Sequence, residues 1–221
     1  MTTALMILSG GQDSTTTLFW AKKKFGSVEA ITFDYGQRHK VELESAKKVA
    51  EIAGVPHKLV RVTALEQLAD NAMIKDEEIV INKTTGLPTT FVPGRNLIFV
   101  TLAAGYAYTK GIKDLILGVS QVDYSGYPDC RRETMRSLEK TISLGMDFDF
   151  TIHTPLVDKD KKDTVLMAKE LGVLDVMKYT HTCYKGQRPP CGECPACKLR
   201  AKGFAEAGII DPLFILVTKI I

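Results

Sequence analysis

Short, almost uninterrupted apolar runs alternate along the chain with longer segments of helical spacing. Residues 4–8 read as a fully buried strand, broken by the glycine-rich residues 9–14, and residues 15–24 follow as a helix that stops before Gly26. Residues 28–33 predict a second strand, closed by Asp34-Tyr35-Gly36. Over 38–53, Val41, Ala46, Val49, Ala50 and Ala53 recur at helical spacing among charges, with Gly54 as the stop. Residues 58–62 form a third strand, 95–109 an apolar helix and 115–119 a fourth strand. Then come a helix over 132–143, a fifth strand over 150–154 and a helix over 160–171.

Strands alternating with helices build βαβ units and a parallel sheet covered on both faces. Near-continuous apolar strands fit that burial. The expected class is α/β, a doubly wound parallel sheet. Ligands of such sheets lie beyond the C-terminal strand ends, at a switch in strand order. The loops at 9–14, 34–37 and 119–131 all leave such ends. Residues 71–94 break the rhythm as a long polar connection, a type that is usually functional or mobile. The βα rhythm stops after Asp175, which divides the chain into a core domain, 1–175, and a small C-terminal subdomain, 176–221. Residues 212–221 are apolar with one Lys, and read as a docked final strand or an interface.

With 221 residues, 45% hydrophobic and 25% charged, the chain can bury a sizeable core, which excludes collagen-like and wholly disordered classes. A formal charge of +3 is too small to announce nucleic-acid binding. The N-terminus lacks a basic n-region, and the longest uncharged stretch, 96–109, falls short of the ~20 residues needed to span a bilayer. A cytoplasmic protein with reduced thiols is expected.

Residues 9–14 read Ser-Gly-Gly-Gln-Asp-Ser. Adjacent glycines permit a tight turn and a close backbone approach to a ligand. Amides of the loop and helix start then face one spot and make an anion site. Ser9, Ser14 and Thr15 add hydroxyls, and Asp13 beside phosphate calls for Mg²⁺ or a donor network. No Gly-Lys-Ser/Thr follows, so this is not a Walker A loop. A plain Gly-Gly turn with a capped helix is the alternative. The segment resembles the PP-loop of the N-type ATP pyrophosphatases. That resemblance implies an adenine nucleotide alpha-hydrolase-like fold. It also implies ATP cleavage between the α and β phosphates, adenylation of a carboxyl or carbonyl oxygen, and attack by ammonia or sulfur. A carboxylate is a poor electrophile, and AMP turns its oxygen into a leaving group.

Four of the five cysteines cluster as Cys183-x7-Cys191-x2-Cys194-x2-Cys197, with Gly186, Pro189, Pro190, Gly192 and Pro195 supplying turns. One structural Zn²⁺ closed by four thiolates fits this spacing. An iron–sulfur cluster, a redox-active pair and coincidental thiols compete with it. Lys185, Arg188, Lys198, Arg200 and Lys202 either compensate the negative charge of such a site or contact RNA.

Residues 118–132 concentrate two Tyr, two Asp and two Arg with Gln121 and Cys130. Tyr faces stack on planar rings, an Asp carboxylate matches the paired N–H donors of a guanine-like edge, and Arg clamps carboxylates. A polar loop ahead of a helix is the alternative. Cys130 reads as a pocket or packing residue, with a nucleophile as the alternative, since amidation by ammonia needs no protein nucleophile.

Five blocks in order resemble the 7-cyano-7-deazaguanine synthases of queuosine biosynthesis, over about residues 3–211. They are the 9–14 loop, Phe33-Asp34-Tyr35-Gly36-Gln37, Pro93-Gly94-Arg95-Asn96, residues 124–131 and the cysteine cluster. The resemblance implies a zinc-containing, ATP-dependent carbon–nitrogen ligase. Such an enzyme takes 7-carboxy-7-deazaguanine and ammonia to the nitrile (preQ0) through an adenylated acid, an amide and a second adenylation. Carried onto this chain, it implies ATP contacts from Leu8, Ser9, Gly10, Gly11, Gln12, Asp13, Ser14, Thr15, Thr16, Thr17 and Leu18. Ser9, Asp13 and Ser14 stand at the chemistry, and ATP arrives with Mg²⁺. Arg95 and Asn96 contact the nucleotide or acyl-adenylate, unless they serve only as a helix N-cap. Tyr124, Tyr127, Asp129 and Arg131 line the deazaguanine pocket, and Cys183, Cys191, Cys194 and Cys197 bind one Zn²⁺.

Expected partners are small molecules, without nucleic acid or membrane, and the apolar tail and small size suggest a homodimer. Two other functions compete. A PP-loop tRNA-modifying enzyme, thiolase or lysidine-type, needs a catalytic cysteine pair or an RNA-gripping domain. A non-catalytic zinc-ribbon nucleic-acid-binding module leaves the glycine loop without a purpose.

Overall fold

Ala4, Leu5 and Met6 have no solvent exposure, and the strand that carries them is the middle one of five. The computed structural model describes residues 2–37, 39–68, 80, 82–122 and 127–215. Its strands are β1 (Thr3–Ile7), β2 (Ser27–Asp34), β3 (His57–Arg61), β4 (Asp114–Leu117) and β5 (Thr151–His153). All pair in parallel in the order β3-β2-β1-β4-β5. The doubly wound parallel sheet expected from the alternating pattern is therefore the observed one.

Two-residue alternation along β1 feeds two cores. Ala4, Met6 and Leu8 pack with Leu18 and Ala21 of α1 (Gln12–Lys24) and with Ala46, Val49, Ala50 and Ala53 of α2 (Val41–Ala53). Leu5 faces the other way, onto Val100, Ala103, Ala104 and Ala107 of α4 (Arg95–Thr109) and Met135, Leu138 and Ile142 of α5 (Arg132–Met146). A short helix, α3 (Thr63–Leu68), which no apolar periodicity announced, follows β3.

The register places the site. Ile7 stands level with Ile31 and Leu117, so Leu8 and Gly118 leave the sheet beside Thr32, which runs on within β2. The Thr32 hydroxyl donates to the Leu8 carbonyl at 2.6 Å. Strand order reverses between β1 and β4, where the crevice of a doubly wound sheet opens. Helix α1 starts at Gln12, ahead of the expected Thr15, because the Thr15 amide already bonds to the Gly11 carbonyl at 3.0 Å. Asp13 and Ser14 thus stand in its first turn.

The C-terminal segment is docked on the sheet domain. Val165 and Ala168 of α6 (Lys161–Glu170) share a cluster with Met177 and with Phe204 of α7 (Pro195–Glu206), so apolar packing crosses residue 175. Arg200, 2% exposed, satisfies all its N–H donors. It bonds Asp211 at 2.6 and 2.8 Å, Thr180 at 2.7 Å, Thr182 at 3.2 Å and the Met177 carbonyl at 3.1 Å. A buried charge persists only when paired and bonded in this way. Where a final strand was one reading, Pro212–Ile215 forms a short helix, α8, and residues 216–221 lie outside the described residues. No helix among the described residues is long and apolar enough to cross a membrane.

Because Met6 touches the α1–α2 core with no exposed surface, Met6→Ala is expected to lower unfolding free energy by about 2–5 kcal/mol. Urea denaturation reads this, and a loss below about 0.5 kcal/mol would contradict the packing described.

Candidate active site

The C-terminal ends of β1, β2 and β4 open into one cavity of about 380 Å³. Ser9, Gly11, Asp13 and Ser14 form one end of it. Phe33, Tyr35 and Glu42 line the β2 side, Gly118 and Lys161 the β4–β5 side, and Arg95 and Asn96 come from α4. His181, Thr182, Tyr184 and Ala196 contribute from the cysteine-bearing segment.

Sterics fix the glycine loop. Gly10 has φ 82°, and a Cβ there would sit 2.5 Å from the Glu42 carbonyl oxygen and 2.6 Å from the Ala46 nitrogen. A Cβ on Gly118 would lie 2.9 Å from the Ser14 backbone. The loop is therefore wedged between α2 and the exit of β4, where only glycine fits. From the third side the His181 amide donates to the Gly10 carbonyl at 3.0 Å. Inside the loop, Ser9 Oγ and Ser14 Oγ are 3.0 Å apart, and the Ser14 hydroxyl lies 3.2 Å from the Gly11 carbonyl.

Asp13 meets Lys161 Nζ at 2.5 Å through one oxygen. Its other oxygen, Oδ1, is buried without a partner among the described residues. That pairing suits a phosphate end: an ammonium for anions, and a free carboxylate oxygen as a ligand for Mg²⁺. Leu8, Ser9, Gly11, Asp13 and Ser14 line the cavity, whereas Gln12, Thr15, Thr16, Thr17 and Leu18 are buried in α1 and do not.

Arg95, half-buried, is the cation of the far end. It donates to the Tyr35 hydroxyl at 3.2 Å. Burial disfavours its charge, but Tyr35, Tyr127 and Asp129 more than restore it, so it stays protonated. Burial pushes the Tyr35 hydroxyl up to about 12 against the pull of Arg95. Burial raises Glu42 to about 7, although Arg95 opposes it. Tyr184 is held well above its ordinary range by burial, then by Tyr127.

The four residues expected at the deazaguanine pocket separate. Tyr127 lines the cavity and pairs with Thr90 Oγ1 at 2.8 Å. Asp129, 5% exposed, accepts the Asn96 amide at 3.0 Å and so caps the start of α4, outside the cavity lining. Arg131 is exposed and does not line the cavity. Tyr124 lies outside the described residues. Cys130 is held at the wall by Asn96 Nδ2 at 3.3 Å.

Sequence reasoning missed Lys161, Glu42, His181 and Tyr184. Lys161 was findable, because it follows β5 as the selected loops follow their strands. Glu42 looks like any acidic residue in a helix's first turn. Contacts from the C-terminal segment carry no local signal.

The sulfurs of Cys183, Cys191, Cys194 and Cys197 all lie within 4.8 Å of one another. A tetrahedral centre with metal–sulfur bonds of about 2.3 Å separates its sulfurs by about 3.8 Å, and Cys191 and Cys197 are 3.9 Å apart. Amides of Cys191 and Cys194 donate to Cys183 and Cys191 sulfurs at 3.5 and 3.4 Å. Burial and then the Cys194 sulfur push the Cys197 thiol far up, a crowding that a cation relieves. The donor set fits a metal ion. Of the surrounding basic residues, Arg200 is buried, Arg188 bonds the Ser45 hydroxyl, and Lys185 and Lys202 pair with Glu193 and Glu206.

The family model described as Queuosine biosynthesis protein QueC matches residues 3–208. A Chromobacterium violaceum protein named 7-cyano-7-deazaguanine synthase is 53% identical over 216 residues, 95% of this chain and 92% of its own. A protein of that name from Staphylococcus saprophyticus is 50% identical over 212 residues, 93% and 95% of the two chains. A solved structure titled as a predicted subunit of tRNA methyltransferase, from Methanocaldococcus jannaschii, superposes with TM-score 0.52. At 20% identity over 77% of this chain and 75% of that one, it shares the fold alone.

Gly118→Ala should drive a methyl into the Ser14 backbone and weaken ATP binding at least about tenfold while the chain stays folded. Calorimetric titration with ATP checks this, and unchanged affinity would mean the loop is not clamped there. Cys194→Ser should lose bound metal by elemental analysis and lower the thermal midpoint. A metal-free variant that melts like wild type would refute a metal's structural role.

Proposed function

The chain belongs to the QueC family of queuosine-biosynthesis enzymes, and from that membership we propose an ATP-dependent carbon–nitrogen ligase that converts 7-carboxy-7-deazaguanine and ammonia to 7-cyano-7-deazaguanine. One observation carries the reading: a single cavity joins a glycine loop and an Asp13–Lys161 pair at one end to the half-buried Arg95 at the other.

On this reading the loop amides, with the Ser9 and Ser14 hydroxyls, hold the phosphates that leave as pyrophosphate. Lys161 adds positive charge there. Asp13 Oδ1 is the residue to hold Mg²⁺, which neutralises charge developing on the pyrophosphate. Arg95 steers the substrate carboxylate toward the α-phosphorus. A carboxylate oxygen attacks that phosphorus and pyrophosphate departs. Ammonia adds to the activated carbonyl, a proton leaves the nitrogen, and AMP departs with the former carboxylate oxygen, giving the amide. A second adenylation, on the amide oxygen, lets nitrogen lose its protons and AMP depart, giving the nitrile. Asp129 fixes the start of α4 and so positions Arg95 and Asn96.

Cys183, Cys191, Cys194 and Cys197 hold one structural Zn²⁺, since four protein sulfurs leave no open position. The enzyme works as a cytoplasmic homodimer on small molecules, without nucleic acid or membrane. The internally paired basic residues of the C-terminal segment support that choice over an RNA-binding surface.

Wild type given the acid, ammonia, ATP and Mg²⁺ should release AMP and not ADP, with the nitrile detected by mass. Asp13→Ala should lose at least about a hundredfold in kcat/KM while remaining folded. Release of ADP, or full turnover by the variant, would contradict the assignment.

A further inference from the structure

Two carboxylates line the cavity among the described residues, Asp13 and Glu42. Asp13 is paired with Lys161 at the phosphate end. Asp129, whose carboxylate suited a guanine-like edge, is engaged in capping α4. We propose that Glu42 reads the base edge of the substrate, its two oxygens accepting the ring N1–H and the exocyclic 2-amino group of the deazaguanine. The inference rests on the ligase reading above.

Glu42 sits in the first turn of α2, with its backbone carbonyl where a Gly10 Cβ would be, so the side chain starts beside the glycine loop. No described residue hydrogen-bonds or ion-pairs with its carboxylate. The groups that bear on it are Arg95 from α4, Tyr35 after β2 and Tyr184 from the C-terminal segment. Arg95 favours the charged form of Glu42 without a described ion pair between them, and both line the cavity that a ligand would fill. A planar ring placed there turns its acidic substituent to the guanidinium and its N–H edge to the carboxylate.

A half-buried carboxylate without a described donor is unfavourable by itself, and burial pushes Glu42 in that direction, up to about 7. It becomes favourable when a ligand brings two adjacent N–H groups. The deazaguanine edge supplies that pair. The adenine of ATP offers one amino group beside an acceptor nitrogen, so the same carboxylate tells the acid from the nucleotide.

The test compares wild type, Glu42→Gln and Glu42→Asp on 7-carboxy-7-deazaguanine and on its analogue lacking the 2-amino group. Glu42→Gln should raise KM for the acid about 10- to 100-fold, with a smaller fall in kcat and little change in KM for ATP. Wild type should disfavour the analogue by about tenfold or more, and Glu42→Gln should treat the two acids almost alike. Glu42→Asp should recover part of the discrimination, which a merely structural role would not do. Unchanged KM and discrimination in Glu42→Gln would overturn the inference. So would a loss confined to kcat, which marks proton transfer instead. If wild type makes no nitrile, the ligase reading falls first and takes this one with it.

Discussion

A backbone gripped from three sides at distances that admit no side chain is the constraint on which the site depends. The loop after β1 lies against α2 at Gly10, against the exit of β4 at Gly118, and under the His181 amide. These grips come from three separate parts of the chain, so the loop's shape is a property of the whole fold. The parallel register makes this possible by bringing Leu8 and Gly118 out of the sheet together, beside Thr32 of β2. Once the loop is immobile, its amides and the Ser9–Ser14 pair are already aimed, and little reorganisation remains for the reaction to demand.

Charge in the cavity is divided by burial. Asp13 and Lys161 balance each other near the loop. Arg95, kept charged by its aromatic and acidic neighbours, occupies the other end, and Glu42, pushed up to about 7 by burial, lines the β2 side. Tyr35 and Tyr184 stay protonated between them. Such an arrangement suits a ligand carrying both an anionic group and a donor edge. The cysteine cluster lies in the same segment as His181, Thr182 and Tyr184, which complete the cavity wall.

Much of the fold was legible in sequence because strands buried on both faces are apolar at nearly every position, as Ala4, Leu5 and Met6 are. The glycine loop and the four cysteines were legible because their chemistry is compressed into short, fixed spacings. Tyr127 was suggested by residue type and Arg95 by the family resemblance, and both line the cavity. Asp129 shows the limit of that method, since a carboxylate near a helix start suits a cap as well as a ligand, and only the Asn96 amide at 3.0 Å decides. Glu42 shows the converse: it looks like an ordinary first-turn acid until the packing of α2 on Gly10 puts it at the cavity. Helix α3 and the start of α1 escaped because short elements and first turns depend on hydrogen bonds that periodicity does not register.

If one cavity activates the acid and then the amide, every oxygen of the original carboxyl group must leave on a phosphorus. The most direct measurement supplies the acid with both carboxyl oxygens as ¹⁸O, together with ATP, Mg²⁺ and ammonia, and weighs the products. Two AMP molecules per nitrile, each carrying a single ¹⁸O, are predicted. Unlabelled AMP, or label appearing in water or inorganic phosphate, would contradict adenylation at this site.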